Sequence, residues 1–503
     1  MEQTATTRDL YAEYLKTMHR IADLRYSGAV LQWDQETYLP PKGARFRGQQ
    51  IATLSELAHH YFTESSFGDL LQRLNEKKDL SPAEKRNLEL TLEDYSKQKK
   101  FSSEFVRRLT EAINKSFFSW INARRENNFQ IFAAELEPLV ELKKQEADFL
   151  GYSGHIYNAL LNEFDKGSNV EKLDSVFNSI RIPLKELFDK IASSTQVDDS
   201  ILKQHFPKDA QWAFGMLLLR EMGYDFESGR QDLSEHPFTT SFNSSDVRIT
   251  TRIDEKDLGN MTWSCIHELG HAFYEQGLPE SQYGLPLGEA CSLSIHESQS
   301  RLWENHVGRS EAFCAIYLPK LQQYFPDQLK DVGVQDFYKA INKVQPGFIR
   351  TESDELTYHF HVMIRYELEK KLIGGELTTA EIPAYWNEQY EKYLNVKVPN
   401  DREGCLQDVH WSHGSFGYFP TYSLGSFYAA QFFDLWLNSD PQNQKALESG
   451  NSSGLLGWLR ENIHRHGRMY ETEELSKKLC GEGLNVQYFL KYLEEKYRKI
   501  YQF

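Results

Sequence analysis

Hydrophobic positions in this chain recur by threes and fours over most of its length, the spacing that lines apolar side chains along one face of an α-helix. Tyr11, Leu15, Met18 and Leu24 predict a helix across Leu10 to Leu24. After an interruption at Pro40 and Pro41, Ile51, Leu54, Leu57 and Ala58 predict a second, and Ser81 followed by Pro82 reads as the cap and first turn of a third. From Phe101 to Leu150 the helical spacing continues, with lysine, arginine and glutamate between the apolar positions. Strand-like stretches are scarce. Phe238 to Phe242 and Val247 to Ile253 concentrate Thr, Ile, Val and Phe, and they predict one small sheet. The turn-rich segment from Asn438 to Gly457 reads as loops around a short helix. No linker-like composition and no internal repeat divides the chain, so one mainly helical body over residues 1–503 is expected.

Composition narrows the function classes. With 40% hydrophobic and 26% charged residues the chain is that of an ordinary globular protein able to bury a large core. Its 73 acidic against 57 basic residues give a formal charge of -16, which argues against a nucleic-acid partner, since phosphate binding calls for a basic footprint. The first twenty residues carry no signal-like apolar core and no later run approaches a membrane span, so a cytoplasmic location without a membrane partner is expected. Five widely spaced cysteines with no C-x-x-C pair suggest neither a disulfide framework nor a thiolate metal site.

The chemistry-bearing stretch is MTWSCIHELGHAFYEQG, Met261 to Gly277. His267, Glu268 and His271 form H-E-x-x-H, and side chains four apart on a helix are neighbours, so both imidazoles reach one ion. Ile266, Leu269 and Phe273 supply the buried face, Thr262 or Asn260 is the expected cap, and Gly277 with Pro279 the stop. Catalytic zinc normally takes three protein ligands and keeps a position for water. A third histidine at metzincin spacing would fall on Gly277, so the ligand must come from elsewhere. A following helix, expected from about Leu287 to Val307, carries HESQS, and Glu297 is the best third ligand. On that helix Glu289 is expected to accept from an imidazole N–H, and His296 to be a packed or partly exposed side chain rather than a ligand.

Around this motif stand further short blocks in order: HPF at His236 to Phe238, D-x-R-x-T at Asp246 to Thr250, IRTESD at Ile349 to Asp354 and GCLQDVHW at Gly404 to Trp411. LQWDQETYLPPKGARFRGQQ near the start and FGYFPTYSLG from Phe416 complete the pattern. With these blocks the chain resembles the M32 family of zinc metallocarboxypeptidases, of the thermostable carboxypeptidase Taq type. Ser353 departs from the family's usual alanine. The resemblance implies a mainly α fold, a large helical body with a deep substrate groove like that of neurolysin and angiotensin-converting enzymes, with one small β-sheet next to the zinc site. It also implies a homodimer that cleaves peptides carrying a free C-terminal carboxylate.

The expected chemistry is hydrolysis by metal-activated water, with one Zn²⁺ per chain, or Co²⁺ or another divalent ion in its place, and Glu268 as general base. HWSHGSFGYFPTY offers His410, His413, Tyr418 and Tyr422 as donors for an oxyanion; Tyr418 and His410 are favoured, and no spacing separates Tyr418 from Tyr422. By resemblance, Arg248 and Arg350 lie near the blind end of the groove, where a guanidinium fork suits the terminal carboxylate, with His236 lining the same pocket. Asp354, Glu355, Gln407 and Asp408 are expected to position Arg350 or His410. The expected function is a carboxypeptidase of broad specificity releasing single residues. An oligopeptidase or dipeptidyl carboxypeptidase on the same fold is the alternative, and a non-catalytic helical scaffold is a third reading, disfavoured because Glu268 is present.

Overall fold

The computed structural model describes residues 5–503. Four helices open it: α1 (Thr7–Thr37), α2 (Ala44–Thr63), α3 (Ser65–Asn75) and α4 (Pro82–Lys99). Ser81 and Glu84 cap α4 reciprocally, with Pro82 in its first turn as the sequence predicts. Such a cap stabilises a helix by about 1 kcal/mol. Leu10, Tyr14, Met18 and Ile21 of α1 bury against Phe62, Phe67, Leu71 and Leu74, so these helices carry a core of their own, which Leu285 joins from the rest of the chain. Only Ala58 and Phe62 of α2 are buried, and Leu57, expected on the inner face, is 41% exposed because α2 lies on the outside of this group.

A second and much larger apolar core runs from Trp120 to Tyr501. Against it lies a three-stranded sheet of β1 (Gly229–Leu233), β2 (Thr239–Asn243) and β3 (Asp246–Thr251), in the order β1-β3-β2. β3 runs parallel to β1, Arg248 opposite Arg230, and antiparallel to β2, Ile249 opposite Thr239. The two predicted strands correspond to β2 and β3. β1 lies outside the two predicted strands because its burial is inverted: Gln231 and Asp232 are inside while Leu233 is exposed. Gln231 Nε2 donates to Cys265 Sγ at 3.2 Å, while its Oε1 is buried without a partner among the described residues, and Asp232 accepts from Arg230 and the Tyr38 hydroxyl.

Beneath the sheet lies the helix Leu258–Gly277. Its cap is Asp257, whose carboxylate accepts from Gly259 N at 2.9 Å, rather than Asn260 or Thr262, both already inside the helix. Ile266, Leu269 and Phe273 are fully buried, and the helix ends at Gly277. The partner helix starts at Leu293, capped by Ser292, six residues later than expected, because Pro286–Gly288 forms a separate 3-10 turn. It runs through Arg301 into a π-helical turn, Leu302–Gly308, a distortion that often marks functional sites.

Two glycines set how closely these helices meet. A Cβ on Gly270 would lie 2.6 Å from Gln299 O and from Ser300 Cα, and one on Gly425, in the helix Pro420–Ser439, would lie 2.6 Å from Glu297 Cβ and Cγ. Backbone cannot yield as a flexible side chain does, so Gly270→Ala is expected to push the Glu297 helix outward. We expect a loss of about 1–3 kcal/mol in stability and about 10- to 100-fold in metal affinity, read by denaturant unfolding and by competition with a chelating dye. A variant with parental affinity would show that this close approach is not what places Glu297.

All five cysteines are free, Cys265, Cys314 and Cys405 being buried. No helix among the described residues is long and apolar enough to cross a membrane.

Candidate active site

One turn apart on the helix Leu258–Gly277, His267 and His271 direct their rings toward the neighbouring helix, ring centres 4.9 Å apart. From there Glu297 reaches back: its Oε2 lies 3.9 Å from His267 Nε2 and 3.5 Å from His271 Nε2. One ligand atom from each of the three side chains lies within 4.8 Å of the others. Two imidazole nitrogens and one carboxylate oxygen are the donor set that borderline divalent ions such as zinc take in catalytic sites, so these residues fit the ion that the motif implies.

The surrounding groups hold the donors in place. Glu304 accepts from His267 Nδ1 at 2.9 Å, which turns Nε2 toward Glu297. Arg301 bridges the two carboxylates, Nε to Glu297 Oε1 at 2.7 Å and Nη1 to Glu304 Oε2 at 3.1 Å, and Arg309 reaches Glu304 Oε1 at 3.2 Å. Burial pushes the Glu304 carboxyl up, but Arg301, His267 and Arg309 outweigh it and hold the group well below the usual carboxylate range. Sequence reasoning missed Glu304 and assigned the acceptor role to Glu289. Glu289 lies before the helix begins, exposed, and pairs with Arg468 at 2.7 Å. The spacing Glu297, Arg301, Glu304, a charged stripe along one helix face, was the available signal. His296 stacks on His271 at 4.4 Å and bonds Glu275 at 2.9 Å, so it is packed, outside the donor set.

Glu268, beside His267, is buried, and burial pushes its carboxyl up from the usual range while His267 and the Thr239 hydroxyl pull it back. Thr239 Oγ1 lies 2.6 Å from Glu268 Oε2 and 3.1 Å from its carbonyl oxygen.

The His410 to Tyr422 stretch forms a compact aromatic group. His410 Nε2 and the Tyr422 hydroxyl are 3.1 Å apart, and the Tyr418 and Tyr422 rings are 5.2 Å apart. Burial pushes His410 down to about 3 and Tyr418 up to about 12, and raises Tyr422 as well. Near neutral pH all three are therefore uncharged hydrogen-bonding groups. The stretch is strapped from behind by Glu369, a fully buried carboxyl that accepts from Trp411 Nε1 and Gly417 N, both at 2.8 Å, and from the Tyr157 hydroxyl.

Burial pushes Glu369 up to about 7 from 4.5. An acid whose pKa is higher folded than unfolded binds its proton more tightly in the folded protein. Its contribution to stability is then complete below pH 4.5 and lost as pH rises through about 7, with a slope of at most about 1.4 kcal/mol per pH unit. Urea unfolding at pH 5 and pH 7.5 is expected to show a smaller difference for Glu369→Gln than for the parent. Equal differences would rule the assignment out.

Both arginines expected at the blind end carry carboxylate partners. Arg350 is buried, with Nε and Nη2 on Asp408 Oδ1 at 3.0 and 2.8 Å and Nη1 on the Tyr358 hydroxyl, and it packs over the Tyr422 ring at 4.8 Å. Gln407 Oε1 accepts from Arg350 N at 2.8 Å, so Asp408 and Gln407 do touch Arg350 as expected. Asp354 instead caps Leu356 and Thr357, and Glu355 pairs with Lys496, so neither contacts Arg350 or His410. Arg248 is held by Asp246 through two 2.9 Å bonds and sandwiched between Trp33 and Phe242. Each guanidinium retains N–H donors beyond these bonds. His236 is exposed in the turn before β2.

The chain is similar to known proteins over almost its whole length. The family model for carboxypeptidase Taq (M32) metallopeptidases matches residues 13–497. "Carboxypeptidase 1" of Bacillus subtilis is 38% identical over 491 residues, 97% of this chain and 98% of that protein. Among solved structures, that of an M32 carboxypeptidase from Deinococcus radiodurans has a TM-score of 0.96 at 38% identity, covering 98% of this chain and 100% of that one. A structure described as that of CHT has a TM-score of 0.95 at 56% identity, covering 97% and 99%. The chain belongs to the carboxypeptidase Taq (M32) metallopeptidase family and is a metallocarboxypeptidase.

Proposed function

We propose that this metallocarboxypeptidase is zinc-dependent and releases single residues from peptide C-termini with broad specificity, using His267, His271 and Glu297 to hold the ion and Glu268 as general base. The observation that carries the reading is the convergence of three ligand atoms within 4.8 Å beside a buried carboxylate. A divalent ion there supplies a Lewis acid, which lets water act as a nucleophile near neutral pH and polarises the scissile carbonyl. Cobalt or another divalent ion would serve the same donors.

Glu268 takes the proton from water and returns it to the departing amine. Its burial helps, because a base whose pKa is raised toward neutrality accepts and releases a proton more evenly. Tyr418, with His410 and Tyr422 packed beside it, supplies neutral donors to the developing oxyanion. Arg350 and Arg248 bind the substrate's terminal carboxylate through the donors their aspartates leave free, with His236 at the margin. Pairing does not disqualify either arginine, since Asp408 and Asp246 orient the forks. A single catalytic body over residues 1–503, working as a homodimer on free peptides, is the setting that the family resemblance implies, and the free cysteines are in keeping with the cytoplasm.

Matched peptides with a free and an amidated C-terminus test the reading, with products identified by mass. The free peptide should lose one residue at a time and the amidated one should stay intact. Internal cleavage of the amidated peptide would make the protein an oligopeptidase, and release of dipeptides a dipeptidyl carboxypeptidase.

A further inference from the structure

A general base must present one oxygen to the water and keep it there, yet a glutamate carboxylate turns about its last bond with little resistance. Among the described residues the Glu268 carboxylate receives a single hydrogen bond, from Thr239 Oγ1 at 2.6 Å to Oε2. Oε1 is thereby left to take the proton. The donor is well placed for this. Thr239 opens β2, which is held to β3 in register with buried Ile249, and β3 is joined to the same helix by Thr251 Oγ1 and Ser264 Oγ at 2.8 Å. The Thr239 hydroxyl also sits 3.1 Å from the Glu268 carbonyl oxygen, so strand and helix are close at this point. A β-branched side chain in a strand has restricted χ1 freedom, so the hydroxyl is aimed before substrate arrives.

We infer that Thr239 is a positioning residue for the peptidase reaction, orienting Glu268 so that Oε1 faces the attacking water. The inference rests on Glu268 being the general base. Thr239 touches neither the ion nor the substrate in this account. It holds the base at a fixed angle, and a misplacement of the order of 1 Å at such a site costs about 100-fold in rate.

The test is a double-mutant cycle on the metal-loaded enzyme, with Thr239→Val, Thr239→Ser, Glu268→Gln and the Thr239→Val/Glu268→Gln pair. Valine keeps the shape and removes only the hydroxyl. Thr239→Val should lower kcat by about 10- to 100-fold with KM within about twofold and zinc affinity unchanged, and Thr239→Ser should restore most of the rate. In the Glu268→Gln background Thr239→Val should have almost no further effect. The inference is overturned if Thr239→Val keeps the parental kcat, if it lowers zinc affinity in step with kcat, or if its effect is as large without Glu268 as with it. A Glu268→Gln enzyme that keeps the parental rate would overturn the base assignment itself, a result distinct from these. Should valine unfold the protein, the serine variant decides, since full activity in serine with loss in Thr239→Ala leads to the same reading and equal activity in both opposes it.

Discussion

Glu268→Gln is expected to lower kcat by about two to four orders of magnitude while the protein still binds one zinc ion. The side chain keeps its size, and the amide oxygen still accepts the Thr239 hydroxyl that the carboxylate accepts at 2.6 Å. What disappears is the ability to take a proton at neutral pH. The proposed ligands on either side, His267 and His271, keep their own supports, Glu304 for His267 and the packed His296 ring for His271. The loss should therefore fall on kcat, with KM and metal content little changed, because water activation belongs to the transition state and not to substrate binding. Steady-state kinetics with metal analysis of the same preparation checks this. An enzyme that loses zinc together with activity would place Glu268 among the ligands.

Glu297→Ala should be more severe. Two imidazoles alone remain, and the third donor atom, 3.5 Å from His271 Nε2 and 3.9 Å from His267 Nε2, is gone. Hydrolysis should fall to background, and added zinc should not restore it, whereas parental protein stripped with a chelator should recover on zinc addition. The structural cost is tempered. Arg301 loses Glu297 but keeps Glu304 at 3.1 Å, so it is not left as an unpaired buried charge, a defect that costs about 3–5 kcal/mol. Thermal unfolding without metal should therefore fall short of that full penalty. If Glu297→Ala binds zinc as tightly as the parent, the third ligand lies elsewhere.

Local patterns proved the most legible. H-E-x-x-H could be read because its geometry is intrahelical: four residues make one turn, and Ile266, Leu269 and Phe273 mark the face that turns inward. The Ser81–Pro82 start of α4 was legible for the same reason. Glu297 required a guess about how a second helix returns, and the structure brings it to the histidines through a contact that depends on Gly270 and Gly425. The helix carrying it was expected to start at Leu287, since a short 3-10 turn and a new cap at Ser292 leave little trace in hydrophobic spacing.

Long-range polar contacts were the least legible. β1 hides because Gln231 and Asp232 are inside, helped by Arg230 two residues from Asp232 but also by Cys265 and Tyr38, partners that no local window contains. The Thr239 bond to Glu268 spans 29 residues between a strand and a helix. The pairing of Arg350 with Asp408 spans 58 residues, and only the assembled fold shows how much of that guanidinium is already engaged. Glu369, with Glu367, Lys370 and Lys371 close by in its helix, reads as a surface charge until Trp411 and Gly417 are seen pointing at it.

Diffraction data from a zinc-loaded crystal, collected on both sides of the zinc absorption edge, test the central claim most directly. The account predicts one anomalous peak per chain at about 2.0–2.2 Å from Nε2 of His267, Nε2 of His271 and a carboxylate oxygen of Glu297. An active crystal whose peak lies away from these three atoms, or that shows no peak between them, would contradict it.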